Sequence, residues 1–373
     1  MKIFKMAALL AIFELWAVGS IVFAAAPGPD LLKARGEAEA KGFIFITGHD
    51  EIVTKAKKEG QLRVLAEMEP PNIKASIAAF TRRYPFINLH IQEITGTDAA
   101  RRFILELQAG RAKDWDIVNL SRDFLGDYLP YLERIDLLGM AEHGVLAIPP
   151  KMIDSRNRNI VAPLSRFVIT AYNKNLLSAG QLPKSWEDFL KPDFKGRKFA
   201  ADIRSREVAA LVPAWGMEKT LDFARSVAAQ QPIWARGGTR VITSIMAGEI
   251  PMMLGPYFHT LKRAQEKDVS GSLQYVIVEP VPILPALELA IRASAQHLNA
   301  ALLWFEWMAS PEAQKLADEH EPVSSSVYVR GGVVEQELRG KKLSVVSWED
   351  QANFGGWQAK VFEAYGFPKA AGK

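Results

Sequence analysis

Several polar residues in this chain stand directly after short apolar runs, where they could do binding chemistry. Glu67, Met68 and Glu69 follow the run Leu62–Ala66, and Ser121 and Arg122 follow Asp116–Leu120. Arg166 lies in an extended stretch just past Pro163. Arg204, Ser205 and Arg206 follow Phe199–Ala201, and Tyr257 follows Pro251–Leu254. An arginine grips a carboxylate or phosphate through two parallel hydrogen bonds. Ser205 and Arg206 at the start of a helix would add outward-pointing backbone N–H groups. Together these types offer capture of a small anion, which the Tyr257 phenol would cover or hydrogen-bond. The competing reading of each is structural: arginines solvated at the surface and a tyrosine that packs.

Catalytic signatures are missing from the sequence. It contains no GxSxG, HExxH, GxxxxGK[ST] or GxGxxG string and no cysteine nucleophile, so no enzyme is expected. A carboxylate pair in a secreted hydrolase is the alternative that strings of this kind do not exclude. Asp318-Glu319-His320-Glu321 is dense in ligand atoms but reads as a solvated helix end, and His49-Asp50-Glu51 reads as a helix cap. No cofactor or resident metal is expected.

The elements that would position these residues alternate. Ile73, Ile77 and Phe80 repeat at helical spacing, whereas Ile87, Leu89 and Ile91 alternate with polar residues as in a half-buried strand. Strand and helix units continue in turn, which is an α/β pattern. A chain of 373 residues exceeds one ordinary core and suits two lobes. A net charge of +4, with no long basic run, gives no reason to expect a nucleic-acid partner.

Lys2 and Lys5 precede the apolar stretch Ala7–Phe23, and Val22-Phe23-Ala24 offers compact residues to a signal peptidase. Residues 1–25 are therefore expected to be a cleavable signal peptide. An uncleaved anchor is the rival, disfavoured by Glu14 inside the run, since a carboxylate near mid-bilayer is costly. Cysteine is absent, so neither a disulfide frame nor a cysteine-linked lipid is available. The expectation is a free periplasmic monomer, not a lipoprotein.

The order of several strings resembles the extracellular solute-binding proteins of bacterial ABC importers, in the branch that includes the ferric-ion binding proteins. They are Ala56-Lys57-Lys58-Glu59-Gly60, Ala79-Phe80 with Tyr84-Pro85, and Glu106 to Arg111 before Asp116-Ile117-Val118. Tyr172-Asn173-Lys174-Asn175-Leu176, Leu182 to Asp188, and Phe194-Lys195-Gly196 follow. Ala247 to Pro251, Asn299-Ala300-Ala301 and Ser310 to Gln314 complete the set. The resemblance implies a type II periplasmic-binding-protein-like fold: two α/β lobes, each a mixed sheet flanked by helices, with the ligand cleft between them and hinge closure.

On that pattern residues 26–50 are a lead, 51–163 and 278–330 form lobe 1, 164–277 form lobe 2, and 331–373 pack on the lobes as an extension. The crossings are expected near Ile160–Arg166 and Tyr275–Pro280. The implied partners are a small solute and an inner-membrane ABC permease; a sensor subunit of a signalling system is the alternative destination. The resemblance also implies ferric ion as an alternative cargo. The branch's iron binders carry adjacent tyrosines where this chain has Tyr257-Phe258, with a histidine and a glutamate from earlier loops. Phe258 has no oxygen and Arg122 would oppose a cation, so only a reduced ferric site of Tyr257 with Glu67 or Glu69 is expected.

Overall fold

The computed structural model describes residues 27–321 and 324–367; the expected signal peptide lies outside the described residues. The lead is ordered as helix α1 (Pro29–Ala40). Helix α2 (His49–Glu59) ends at Gly60, whose φ of 65° fits the left-handed position that stops helices. The expected cap at its start is not made: Gly48 occupies the N-cap and has no side chain to offer. His49 bonds to Glu306 instead, at 2.8 Å.

β1 (Gln61–Ala66), α3 (Pro70–Arg83), β2 (Asn88–Glu93), α4 (Thr97–Gln108) and β3 (Ile117–Asn119) follow as parallel units. α5 (Leu125–Tyr128), α6 (Leu137–Glu142) and β4 (Ile160–Val161) complete this part. The sheet order is β2-β1-β3-β12-β4, so its fourth strand, β12 (Leu289–Ile291), returns from much later in the chain.

The second lobe holds β6 (Thr170–Asn173), β7 (Ala200–Asp202), β8 (Ile233–Ala235), β9 (Met252–Leu254) and β10 (Leu273–Val276), ordered β10-β6-β9-β7-β8. β5 (Leu164–Phe167) leads into it. α7 (Arg206–Ala209) is short and is followed by α8 (Val212–Trp215), which carries Pro213 in its first turn. α9 (Met217–Ala229), α10 (Gly238–Met246) and α11 (Phe258–Gln265) flank the sheet.

The return strand is β11 (Val281–Ala286), antiparallel to β5. It lies later than the expected Tyr275–Pro280, because the Tyr275 segment is spent on pairing β10 with β6. Pro282 and Pro285, which read as a turn, are inside β11. Proline lacks an N–H; Pro282 offers its carbonyl to Val168 N at 3.0 Å, and Pro285 lies past the paired register with β13 (Leu343–Val345). β12 (Leu289–Ile291) closes the first sheet, and α12 (Leu298–Met308) is buried on nearly every face. The Glu59 carboxylate accepts from Asn299 N at 3.1 Å and Ala300 N at 2.7 Å, filling otherwise unpaired donors of that helix.

α13 (Pro311–His320) is capped by Ser310. α14 (Val333–Leu338) and β13 (Leu343–Val345) dock on the second lobe and on β11. The chain then enters α15 (Trp348–Ala364), opened by a Ser347–Asp350 capping box. Trp348 packs in the lobe 1 core with Leu65, Phe103 and Val118. Phe354, Val361 and Tyr365 pack in the lobe 2 core with Trp186 and Phe223. No helix among the described residues is long and apolar enough to cross a membrane.

Candidate functional site

A cavity of about 550 Å³ opens between the two main sheets. Lobe 1 contributes Glu67 after β1, Gly96 and Thr97 at the start of α4, and Asn119, Ser121 and Arg122 after β3. The hinge strands contribute Arg166 and the segment 284–288. Lobe 2 contributes Arg206 and Tyr257, and α15 contributes Gln351, Phe354 and Gln358. This follows the rule that ligands meet α/β sheets at the carboxyl ends of their strands.

Of the residues selected from sequence, Glu67, Ser121, Arg122, Arg166, Arg206 and Tyr257 are thus brought together. The others are placed elsewhere. Met68 is a core residue at 2% exposure. Glu69 pairs with Arg263 of α11 rather than lining the cavity. Arg204 folds back on Asp202, with contacts of 2.7–3.2 Å. Ser205 is 1% exposed, sits at φ 56°, and donates its hydroxyl to the Gln358 carbonyl at 2.9 Å. Its expected anion site at a helix start is therefore covered by α15, and α7 is a single turn.

Arg122 donates to the Glu288 carboxylate and to the Gln351 side-chain oxygen. Glu288 is held on the β11–β12 corner, where its backbone carbonyl takes Leu120 N at 2.8 Å. Its carboxylate sets the direction of the guanidinium and pairs with its charge at the cavity wall. Arg166 projects from β5, paired in register with Leu284.

Tyr257 stands at the N-cap position of α11, with no capping bond from its side chain. Burial and the neighbouring Glu207 hold its phenol above the ordinary value, against the pull of Arg206, Arg166 and Arg122. Glu207 is 5% exposed; burial and the Asp202 charge push its carboxyl up to about 8, so it carries a proton at neutral pH. Gly255, at φ 77°, lies against it, and a Cβ there would come within 2.9 Å of Glu207 Cβ. The His259 ring stacks on Tyr257 at 5.7 Å; burial, Arg166 and Arg263 push it down to about 3. Behind the tyrosine is thus a neutral layer, and in front of it are the arginines.

Phe258, where the iron binders resembled above have a second tyrosine, is 1% exposed. It packs on Phe167 at 4.5 Å and Tyr275 at 4.9 Å between ring centres, facing the lobe core. Among the described residues no cluster of three or more His, Asp or Glu could hold a metal. Asp318 instead accepts from Ser325 N and Val333 N, and Glu321 from Glu69 N.

Sequence reasoning missed Glu288, Gln351, Phe354 and Gln358. A carboxylate ahead of β12 was a possible signal for Glu288; nothing local marks the α15 residues, which arrive by tertiary packing.

The sequence matches the model of a family described as bacterial extracellular solute-binding protein over residues 148–353. It is 24% identical over 222 residues to the Fe(3+)-binding periplasmic protein of Serratia marcescens, spanning 56% of this chain and 63% of that protein. Over 146 residues it is 25% identical to an uncharacterised Haemophilus influenzae protein, spanning 41% of it. The chain therefore spans less than two thirds of these curated relatives.

The fold is similar to the ferric iron-binding protein A of Mannheimia haemolytica in an open conformation, with TM-score 0.63 and 17% identity over 82% of this chain and 98% of that one. A Bordetella ferric binding protein gives 0.62 and 16% over 82% and 98%, and one from Campylobacter jejuni gives 0.60 and 19% over 82% and 100%. These likenesses show the two-lobe α/β fold.

Proposed function

Because this chain belongs to the bacterial extracellular solute-binding proteins, we propose that it is the cargo-capturing component of an ABC importer. It takes a small anionic solute into the cavity between its lobes and presents it to an inner-membrane permease from the periplasm. One observation carries this reading. Arg122, Arg166 and Arg206 come from lobe 1, the hinge and lobe 2, and all line one cavity with Tyr257. An anion touching all of them would be gripped by both lobes at once, coupling binding to closure. We assign lobe 1 to residues 51–163 and 278–330 and lobe 2 to 164–277, limits supported by the two sheets and the β5–β11 crossing.

Calorimetry against citrate, phosphonates and sugar phosphates tests the reading, with ferric citrate as the metal arm. Binding of at least one iron-free anion, lost in Arg166→Ala, is expected. Absence of any anion binding together with a visible tyrosinate–iron band would reverse it. Ferric ion is the second reading, favoured by Tyr257 and Glu67 lining the same cavity. Against it stand the three guanidinium groups and the core-facing Phe258, since Fe³⁺ requires several anionic oxygens.

A further inference from the structure

We propose that helix α15 is a tethered lid over the solute cavity, and that its Gln351 holds the place at Arg122 that an incoming anion takes. The proposal rests on the capture reading above. α15 stands on both lobes. Its first turn is seated on lobe 1, where Trp348 is buried and donates its indole N–H to the Lys151 carbonyl at 3.3 Å. Glu349 beside it accepts from the Ser155 hydroxyl. Its later turns lie on lobe 2, through Phe354, Val361 and the Ser205 bond to the Gln358 carbonyl. Gln351, between the two footings, forms a wall of the cavity together with Phe354 and Gln358 of the lobe 2 footing.

A helix fastened to both lobes opposes the hinge opening that solute exchange requires, so one footing must release. The lobe 2 footing is the deeper one. Phe354, Val361 and Tyr365 are buried there, and the preceding β13 is paired into the hinge sheet. The lobe 1 footing rests on the Trp348 ring and a few hydrogen bonds. Gln351 is also weakly held: its side-chain oxygen accepts from Arg122, while its Nε2 is buried with no partner among the described residues. A cargo carboxylate makes a stronger, charge-assisted bond to Arg122 than a neutral amide does. Cargo thus takes over Arg122 from Gln351, the first turn lifts from lobe 1, and α15 stays on lobe 2.

Hydrogen exchange followed by mass spectrometry reads the lid, with citrate as probe. Saturating citrate is expected to speed exchange of amides 352–354, which bond to the carbonyls of the first turn, and both Gln351→Ala and Trp348→Ala to speed it without citrate. Exchange there as slow as in α12 in the wild type and in Gln351→Ala, with or without citrate, overturns the lid. Calorimetry reads the competition. If the amide holds Arg122 about nine-tenths of the time, Gln351→Ala binds citrate about tenfold more tightly, and Gln351→Glu binds it more weakly than wild type. Equal citrate affinity in wild type and Gln351→Ala overturns the hand-over. If neither citrate nor any phosphonate or sugar phosphate of the calorimetry panel binds any form, while the variants speed lid exchange as expected, the anion reading is overturned and the lid is supported.

Discussion

Glu69 and Arg263 form an ion pair that joins lobe 1 to lobe 2 at the edge of the cleft. Glu69 ends the loop after β1, and its backbone N–H is fixed by Glu321 at 2.7 Å. Arg263 stands in the last turn of α11, the helix that Tyr257 begins. The pair therefore forms only when the lobes approach, on a different element from the α15 strap. Both groups are well exposed, so the pair contributes about 1 kcal/mol or less. Arg263→Ala is expected to weaken solute binding by a few-fold, and that loss should shrink as salt is raised. Affinity measured at low and high ionic strength checks it; a loss independent of salt would mean that Arg263 touches the solute.

Gly255 is required on two counts. Its φ of 77° is left-handed, and a Cβ would collide with Glu207 Cβ at 2.9 Å. Gly255→Ala is expected to destabilise the protein by about 1–3 kcal/mol, measured as a lower urea midpoint at unchanged slope. A variant as stable as wild type would show that the strand end and Glu207 relax freely.

Glu207 gives stability a pH dependence whose sign is fixed by its raised pKa. In the folded protein its carboxyl holds a proton up to about 8, against an ordinary 4.5. Its contribution is fully present below the ordinary value and is lost as pH rises through about 8. Within that window folding takes up a proton, so stability falls with pH by up to about 1.4 kcal/mol per unit for this one group. Urea unfolding of wild type and Glu207→Gln across the window isolates the effect. The difference between them should change steadily with pH, and a constant difference would place Glu207 in water.

The part of the site legible in sequence is the part that sits on strand ends. Ser121, Arg122 and Tyr257 each follow an apolar run, and that rule finds them because parallel strands present their carboxyl ends to the cleft. Arg204 and Ser205 obey the same rule and fail. Asp202, two residues before Arg204, captures its guanidinium, and α15 covers Ser205. Neither event leaves a local mark. The fold was legible for a related reason: hydrophobic periodicity is local and survives in the final packing. Pro282 and Pro285 misled because a proline run reads as a turn, whereas both are taken into β11, Pro282 serving the pairing through its carbonyl.

Arg166 should behave differently from Arg122 when each is truncated. Arg122 already holds Glu288, whose side chain is 6% exposed, so Arg122→Ala strands a buried carboxylate and is expected to lower both affinity and stability. Arg166 has no side-chain hydrogen bond or ion pair among the described residues and faces the cavity. Arg166→Ala is therefore expected to weaken anion binding by about 2 kcal/mol or more at nearly unchanged stability. Parallel calorimetry and denaturation on the two variants check this. A stability loss in Arg166→Ala equal to that in Arg122→Ala would assign it a structural role.

Phe258→Tyr separates the two readings of the cargo. If position 258 merely lacked an oxygen, restoring a tyrosine would complete a ferric site beside Tyr257. The ring is instead enclosed by Phe167 and Tyr275 at 1% exposure, so the new hydroxyl points into the lobe core. An unpaired buried hydroxyl is expected to cost about 1–3 kcal/mol, seen as a lower melting temperature. With ferric citrate the variant should show no more visible tyrosinate absorbance than wild type. A strong new band at unchanged stability would mean that α11 turns at its first residue, bringing position 258 into the cavity and returning ferric ion to first place.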